Sequence, residues 1–286
     1  MLFLQLLING IITGCGIGLV AVSFGLVYGS TRVFHVAHGG VYTLSGYLVW
    51  SLLKTGMPDV AAIVIGAGLC ALIGAGIQIC LYEPLARRQA SQLVTLIASL
   101  GLLAVIQNLI AMVYSPDILR QPSQAMASVV SLGDVIVTMP QLLSVIVSLA
   151  VVALLVFVSR KTVFGKRLRA VSNNPALAAI TLLKPRRVYI YVMAIASAVV
   201  SLSGVLNSYD LGLQPYNGTL ILLTATVATI AGGIGSIGGA FMMAIGVAIL
   251  QNLSLLVIDG RWSVAITFVI FIVFMLFRPQ GLFRAR

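Results

Sequence analysis

Residues 9–29 read NGIITGCGIGLVAVSFGLVYG, a stretch that contains no charged side chain and has glycine at positions 10, 14 and 18. The uncharged run extends back to residue 1, so it exceeds the roughly 20 apolar residues that a membrane-crossing helix needs. It is too long for the apolar part of a cleavable signal peptide, and it lacks the basic start of one. Small residues one helical turn apart let two helix backbones approach closely within lipid. The stretch therefore predicts a retained spanning helix that packs tightly against its neighbours.

The rest of the chain shares this apolar character. Hydrophobic residues occupy 60% of the 286 positions and charged residues 8%, compared with about 45–50% and about 25% in soluble domains. The three cysteines all lie in apolar runs, which is typical of small packing residues and not of a disulfide or metal framework. This composition excludes a disordered chain, a disulfide scaffold and a nucleic-acid-binding protein. It predicts a polytopic membrane protein.

Charged residues and clusters of proline and glycine divide the chain into nine apolar stretches. These lie at residues 5–28, 36–53, 60–82, 92–114, 140–159, 188–207, 219–235, 237–257 and 262–277. Their lengths predict an all-α membrane bundle of eight or nine spans. The second and seventh stretches are short, so either could be a re-entrant or broken helix. The prediction is one transmembrane domain over residues 1–286.

Basic residues gather on alternate connections between these stretches. Fourteen of the 17 lysine and arginine residues fall at Arg32, at Arg87 and Arg88, within residues 160–187, or after residue 277. The opposite connections hold five of the six acidic residues. Because loops rich in lysine and arginine stay in the cytoplasm, this pattern predicts an N terminus outside the cell and a C terminus in the cytoplasm.

Motifs that could indicate catalysis or cofactor binding lack the necessary context. Residues 233–238 read GIGSIG, the spacing of a dinucleotide-binding loop, but the flanks are apolar helical stretches and not a strand of a βαβ unit. Gly232, Gly233, Gly235 and Gly238 are therefore interpreted as a tight turn between helices, or as a helix break that lines a cavity. The chain has two histidines, one glutamate and no Walker A sequence. We predict no catalytic residue, no metal site and no cofactor bound by this chain.

Several amide, hydroxyl and imidazole groups fall inside the predicted spans. For any one of them, an interhelical hydrogen bond is a simpler explanation than contact with a substrate. The residues predicted to line a translocation path are Tyr28, His38, Gly39, Thr43, Gln107 and Asn108.

Residues 160–187 form the longest polar connection and carry eight basic side chains. Asn174 is a suitable helix cap and Pro175 suits the first helical position, so residues 176–183 are predicted to continue as a short helix. Such a helix could lie against anionic lipid or insert into a groove on a soluble partner. Composition favours neither use over the other.

Seven short motifs occur along nearly the whole chain. They are Asn9-Gly10; GSTRVFHVAHG at 29–39; Glu83-Pro84-Leu85 with Arg87-Arg88; LIASLG at 96–101 with Gln107-Asn108; GKRLRA at 165–170 with Asn174-Pro175; GGIGSIG at 232–238; and RPQGL at 278–282. In these motifs and their order, the chain resembles the permeases of the high-affinity branched-chain amino-acid ABC importers, a family that also serves urea and short amides. It departs from the family pattern at His35, where asparagine is usual, at Leu183-Lys184-Pro185, and at Gly238-Gly239.

The resemblance implies a type II ABC importer permease in the cytoplasmic (inner) membrane of a bacterium. It implies a coupling segment within residues 160–187 that docks on a cytoplasmic ATP-binding subunit. The residues assigned to this coupling are Gly165, Arg167, Arg169, Asn174, Pro175, Ala176, Leu177, Ile180 and Leu183. The implied partners are a second, homologous permease, two ATP-binding subunits that use the ATP, an extracytoplasmic solute-binding protein and the lipid bilayer.

The residues alone leave other functions open. Glycine-rich spans are also compatible with a secondary transporter or channel for a small solute, which would need no ATP-binding partner. An intramembrane enzyme is a third hypothesis, disfavoured because no nucleophile–base set is present. The sequence does not distinguish between an amino acid, urea and a short amide as the substrate.

Overall fold

A computed structural model describes residues 2–123, 126, 128–132, 135–180, 183–278 and 281–282. Its elements, in chain order, are α1 (Leu2–Thr31), α2 (His38–Lys54), α3 (Asp59–Ile77), a π-helical turn (Gln78–Tyr82), α4 (Glu83–Arg87), α5 (Gln92–Tyr114), β1 (Val129–Leu132), β2 (Val135–Thr138), α6 (Met139–Lys161), α7 (Val163–Asn173), α8 (Pro175–Ile180), α9 (Pro185–Leu211), α10 (Asn217–Gly232), α11 (Ile237–Ser254), a 3₁₀ turn (Gly260–Trp262) and α12 (Ser263–Phe277). Asp134, Pro279, Gln280, Arg284 and Arg286, used above in the charge pattern or the last motif, lie outside the described residues.

Each of the nine predicted spans corresponds to a helix within the described residues. Six helical stretches are long and apolar enough to cross a bilayer: α1, Asp59–Arg87, α5, α6, α9 and α11. The other three, α2, α10 and α12, are shorter. The prediction of a polytopic helical membrane bundle is confirmed. The predicted ends were wrong by several residues at α9 and α11. Helix α9 begins at Pro185, before the apolar pattern, whereas α11 ends at Ser254, before the apolar pattern does.

The glycines of α1 bring it into backbone contact with α11. A methyl group at Gly10 would lie 2.8 Å from the Cα atom of Ile249, and one at Gly14 would lie 2.6 Å from the Cα atom of Ile245. Gly18 faces the ring of Phe241 in the same way. The contacts descend along α11 as they ascend along α1, so the two helices are antiparallel. The close approach expected from the glycine spacing is present, and α1 is buried over most of its length.

The connection after α1 turns back into the bundle. Ala37, just before α2, donates its backbone N–H to Ser99 Oγ at 3.0 Å, and Ser99 lies two turns inside α5. His38, the first residue of α2, is 2.8 Å from Ser23 Oγ, eight residues before the end of α1. Because an α-helix rises 1.5 Å per residue, α2 begins roughly 12 Å inside the end of α1. This re-entry explains why the second span is short.

A short pair of antiparallel strands lies between α5 and α6, a local feature that the sequence did not indicate, within the all-α membrane bundle that it predicted. β1 and β2 pair in antiparallel register, with Val130 opposite Val137. The β-branched residues of this stretch favour extended backbone, and the side chain of Gln5 holds β2 to the start of α1 by bonds to the backbone of Ile136. Thr138 then caps α6 in a capping box with Gln141.

Acidic and basic connections lie at opposite ends of α1, a helix of 30 residues. The strands β1 and β2 lie beside the first residues of α1. At this end Asp210 accepts hydrogen bonds from Thr138 and Gln141. At its last residues Gly29 lies against Gly235 of the α10–α11 turn, close to Arg32 and Arg160. We call these the acidic end and the basic end of the bundle.

Candidate functional site

The first part of the predicted coupling segment is anchored to the end of α6. Thr162 caps α7 by accepting a hydrogen bond from Gly165 N at 3.2 Å. A methyl group at Gly165 would lie 2.2 Å from the carbonyl oxygen of Ser159, so only glycine permits this close turn. The guanidinium of Arg169 donates to the same Ser159 oxygen. Gly165 and Arg169 therefore set the angle between α6 and α7.

Helix α7 lies with one face against the bundle. Gly165, Leu168 and Val171 are buried at intervals of three residues, whereas Arg167 is exposed. This spacing places the buried residues on one helical stripe. Of the predicted coupling residues on α7, Arg167 and Arg169 are exposed, and Arg169 is held to Ser159 O.

Helix α8 begins as the sequence indicates. Asn174 Oδ1 accepts a hydrogen bond from Leu177 N at 3.0 Å, and Pro175 is the first helical residue. The helix ends at Ile180, earlier than the expected residue 183, and residues 181–182 lie outside the described part of the chain. Leu183 N donates to Ala178 O at 3.2 Å, a bond that closes the helical end.

The exposed side of α8 is apolar. Leu177 is 58% exposed and Ile180 79% exposed. Asn174, Pro175 and Ala176 are exposed beside them, whereas Leu183 packs against the core. The predicted coupling residues thus divide into a set that is exposed and unanchored and an anchoring set, in which Gly165 is buried, Leu183 is partly buried and Arg169 is exposed but bound to Ser159 O.

Glu83 holds the C-terminal side of the predicted coupling segment to the bundle. Its carboxylate accepts from Arg87 at 2.6 Å and from Arg186, in the first turn of α9, at 2.7 Å. Glu83 is the only glutamate in the chain and its side chain is 12% exposed. Sequence reasoning did not assign it a role, although a lone acid on the basic side was a signal.

Two predicted path residues from α2 contact the first turn of α10. Thr43 Oγ1 donates to Gly39 O at 3.1 Å and accepts from Gly218 N at 3.2 Å. A methyl group at Gly39 would lie 2.7 Å from Gly218 O. The start of α2 and the start of α10 therefore touch inside the bundle.

Two predicted path residues from α5 reach the same turn. Gln107 Nε2 donates to Thr219 Oγ1 at 2.9 Å, and the hydroxyl of Tyr216 donates to Asn108 Oδ1 at 3.4 Å. Asn108 is exposed and Tyr216 is 50% exposed. Four of the six predicted residues thus converge on the start of α10. Sequence reasoning missed Tyr216, Gly218 and Thr219, which follow the helix-breaking Pro215.

The other two predicted path residues have different neighbours. His38 is fully buried and shares a hydrogen bond with Ser23. The ring of Tyr28 packs against Phe24 and Phe34. The structure does not bring these two side chains to the first turn of α10.

The glycine-rich stretch 232–238 is a tight turn between α10 and α11. Gly233 and Gly235 have φ angles of 100° and 86°, a region that favours glycine. A methyl group at Gly232 would lie 2.4 Å from Gly239 O, so the two helices meet closely. Ser236 caps α11 by accepting from Gly239 N at 3.1 Å, and Gly238 stands in the first turn of α11.

A family model for the branched-chain amino acid transport system, permease component, matches residues 6–275. The chain belongs to this permease family.

Relatives in the family match over nearly the whole length of both chains. The branched-chain amino acid permease LivH of Escherichia coli K12 is 28% identical over 295 residues, which covers 98% of this chain and 95% of LivH. BraD of Pseudomonas aeruginosa is 26% identical over 297 residues, with the same coverage. The xylose permease XylH of Escherichia coli K12 is 31% identical over 115 residues, or 37% of this chain.

A solved structure shares the fold. A chain of PsaBC from Streptococcus pneumoniae, in complex with a Fab, aligns over 96% of this permease and 91% of its own length. The TM-score is 0.51 and the sequence identity 18%. The family expected from the seven motifs is confirmed, and so is the expectation of a multi-pass transport permease. A transport permease family is not an enzyme family.

Proposed function

We propose that this permease is the membrane subunit of an ATP-driven importer for branched-chain or other small amino acids. In this proposal α7 and α8 dock on an ATP-binding subunit. The observation that carries it is the exposed apolar side of α8 at the basic end of the bundle, in a chain of this family. ATP is used by the partner subunits, and this chain binds no cofactor itself.

Exposed apolar side chains beside basic residues support docking on a soluble partner. Leu177 and Ile180 project where the chain carries most of its basic residues. Burying apolar surface contributes about 25 cal/mol per Å², and a short helix laid in a groove is a common means of recognition. A partner with a complementary groove would therefore gain from covering these two side chains.

The contacts on either side of α8 would transmit its movement to the spanning helices. Gly165 and Arg169 fix α7 to Ser159 at the end of α6. Beyond α8, Arg186 fixes the start of α9 to Glu83. Movement of α8 by an ATP-binding subunit would be carried through these contacts to α6 and α9, both long enough to span the membrane.

The geometry at the start of α10 suits a translocation path for an amino acid. The N-terminal ends of α2 and α10 meet at Gly39 and Gly218, and helix N-termini favour a carboxylate. Asn108 and Tyr216 form a polar pair on the outer surface of the bundle. A polar pair facing lipid is costly, so we place a second, homologous permease over it.

The charge distribution supports an orientation. The basic end would face the cytoplasm of a bacterial inner membrane, with the C terminus there and the N terminus outside. Two ATP-binding subunits would dock at the basic end, and a solute-binding protein would deliver substrate at the acidic end.

The test is a pair of substitutions in α8. We expect the double variant Leu177→Asp and Ile180→Asp to lose co-purification with the cognate ATP-binding subunit and to lose ATP-dependent uptake, because charges would enter the apolar contact. The control is Val257→Asp, which alters a residue 88% exposed at the acidic end and should keep both. Unchanged co-purification of the α8 variant, or uptake by the purified chain alone under an ion gradient, would contradict the proposal and favour a secondary transporter.

A further inference from the structure

A cavity of about 960 Å³ opens at the basic end of the bundle. It lies between α1, the end of α6, α7 and the turn that joins α10 to α11. Its volume is at the upper end of the range for small-molecule sites, about 300–1,000 Å³. Neither the path residues around α10 nor the exposed side of α8 belongs to its lining.

The cavity carries uncompensated positive charge. Arg32, Arg160 and Arg169 line it, and the described residues of its lining include no aspartate or glutamate. Arg32 and Arg160 are exposed. A planar guanidinium presents several donors and suits the oxygens of a phosphate group. The charge of the cavity therefore selects for an anion, and its donors for a phosphate.

The rest of the wall is mixed: it has hydroxyl and amide side chains, such as Ser172 and Asn173, and an apolar part. Leu26 of α1, Val156 of α6 and Met242 of α11 line the cavity. All three belong to helices that are long and apolar enough to cross a membrane. A ligand that fits both parts of the wall has an anionic group next to a hydrocarbon part.

The position of the arginines matches a lipid headgroup. Arg32 directly follows the last residue of α1, and Arg160 is the second-last residue of α6. These are the ends of two spanning helices, where the hydrocarbon core of a bilayer gives way to the headgroup layer. A ligand with its phosphate between these residues would have its chains directed along the helices.

We propose that this cavity binds the phosphate group of an anionic phospholipid, with its acyl chains against Val156 and Met242. Free phosphate shares the headgroup chemistry, but it would leave the apolar wall uncovered. Because Arg169 belongs to α7, the bound lipid would contact the segment that leads to α8. The proposal concerns lipid binding by this chain and stands whether or not α8 docks on an ATP-binding subunit.

The experiment is a lipid titration of the purified full-length chain in detergent, read by native mass spectrometry. The probes are dioleoylphosphatidylglycerol, dioleoylphosphatidylcholine and inorganic phosphate. The variant is Arg32→Gln with Arg160→Gln; Arg169 stays, because it donates to Ser159 O. The control is Lys54→Gln with Arg120→Gln, which removes the same charge from exposed residues at the acidic end.

We expect the wild type to bind phosphatidylglycerol about tenfold more tightly than phosphatidylcholine, since each basic residue near a headgroup adds attraction. The Arg32 and Arg160 variant should lose about tenfold in phosphatidylglycerol affinity, and the control less than about twofold. Arg32→Lys with Arg160→Lys keeps the charge but loses the planar guanidinium groups, so its affinity should lie between those of the wild type and the glutamine variant. Equal thermal unfolding of the variants and the wild type in detergent shows that a lost affinity does not come from failed folding.

Three results would overturn the proposal. The first is equal affinity for the two lipids. The second is an equal loss in the variant and the control, which would indicate general surface charge. The third is displacement of the lipid by millimolar inorganic phosphate, which would assign the cavity to free phosphate.

Discussion

Tyr82 connects three parts of the bundle through one hydroxyl group. Its oxygen is 2.6 Å from His35 Nδ1 and donates to Ser99 Oγ at 2.8 Å, and Ser99 Oγ also accepts from Ala37 N. The π-helical turn Gln78–Tyr82 ends at this residue, and π turns are often found at functional positions. His35 thus helps to hold the re-entrant connection before α2 in place.

Gly14 has the tightest backbone contact of the three glycines that face α11. A methyl group there would lie 2.6 Å from Ile245 Cα, a backbone atom that cannot move aside alone. We expect Gly14→Ala to lower the free energy of unfolding by about 1–3 kcal/mol, as overpacking does. The measurement is thermal or denaturant unfolding of the purified protein in detergent.

Gly68 provides the matched control, because a methyl group there would meet nothing within 4 Å in the described part of the chain. It is also a helical glycine, on the exposed side of α3. Gly68→Ala should be neutral or slightly stabilising, since alanine favours helix by about 1 kcal/mol over glycine. Equal stability of the Gly14 and Gly68 variants would show that the α1–α11 contact is not close.

At the scale of elements, α8 is held between two anchored neighbours. On its N-terminal side α7 is fixed to α6, and on its C-terminal side the ion pair of Arg186 with Glu83 fixes α9 to α4. The helix itself has six residues, too few to be stable alone in water. Its position therefore depends on these neighbouring contacts.

The Glu83–Arg186 ion pair should affect transport, because it holds the start of α9 and so the position of α8. We expect Glu83→Gln and Arg186→Gln each to lower ATP-dependent uptake about threefold or more, as substitutions on coupling routes do. Their effects should be less than additive, because both remove the Glu83–Arg186 contact, although Glu83→Gln also alters the pair with Arg87. Uptake by the two single variants and the double variant in proteoliposomes with the partner subunits gives the measurement.

The Asp259–Arg261 pair serves as the comparison for that cycle. Its atoms are 3.8 Å apart and both side chains are largely exposed, so it should contribute little. Asp259→Asn and Arg261→Gln should leave uptake unchanged. Full additivity at Glu83 and Arg186 would mean that the ion pair plays no part in coupling.

At the scale of the whole molecule, the two ends of the bundle differ in charge. Val257 lies in the connection after α11 at the acidic end, and Arg88 follows α4 at the basic end. With the basic end in the cytoplasm, a membrane-impermeant maleimide should label Val257→Cys in intact cells. Arg88→Cys should be labelled only after the cells are opened.

Both labelling variants should carry Cys80→Ala, because Cys80 is exposed whereas Cys15 and Cys70 are buried. The parent with Cys80→Ala alone controls for background labelling. Labelling of Arg88→Cys in intact cells, with protection of Val257→Cys, would reverse the orientation and contradict docking of α8 on a cytoplasmic subunit.

The sequence by itself determined the helical membrane class, the number of apolar stretches, the family and the start of α8. These follow from composition and from residues close together in the chain, such as Asn174 and Leu177. Other details of the same local kind were not predicted: the strands β1 and β2, and the end of α8 at Ile180, which the sequence had placed at residue 183. Extended and helical backbone compete closely in short connections, and the local pattern does not decide between them.

Only the tertiary structure decided which residues meet across the bundle. Gln107 and Thr219 are 112 positions apart, and Arg186 and Glu83 are 103 apart. The re-entry before α2 likewise depends on Ser23 and Ser99, which lie on two other helices. Every spanning helix is apolar around most of its surface, so hydrophobic periodicity does not say which face turns inward. Small residues and paired polar groups make that choice, and their partners are known only once the helices are packed.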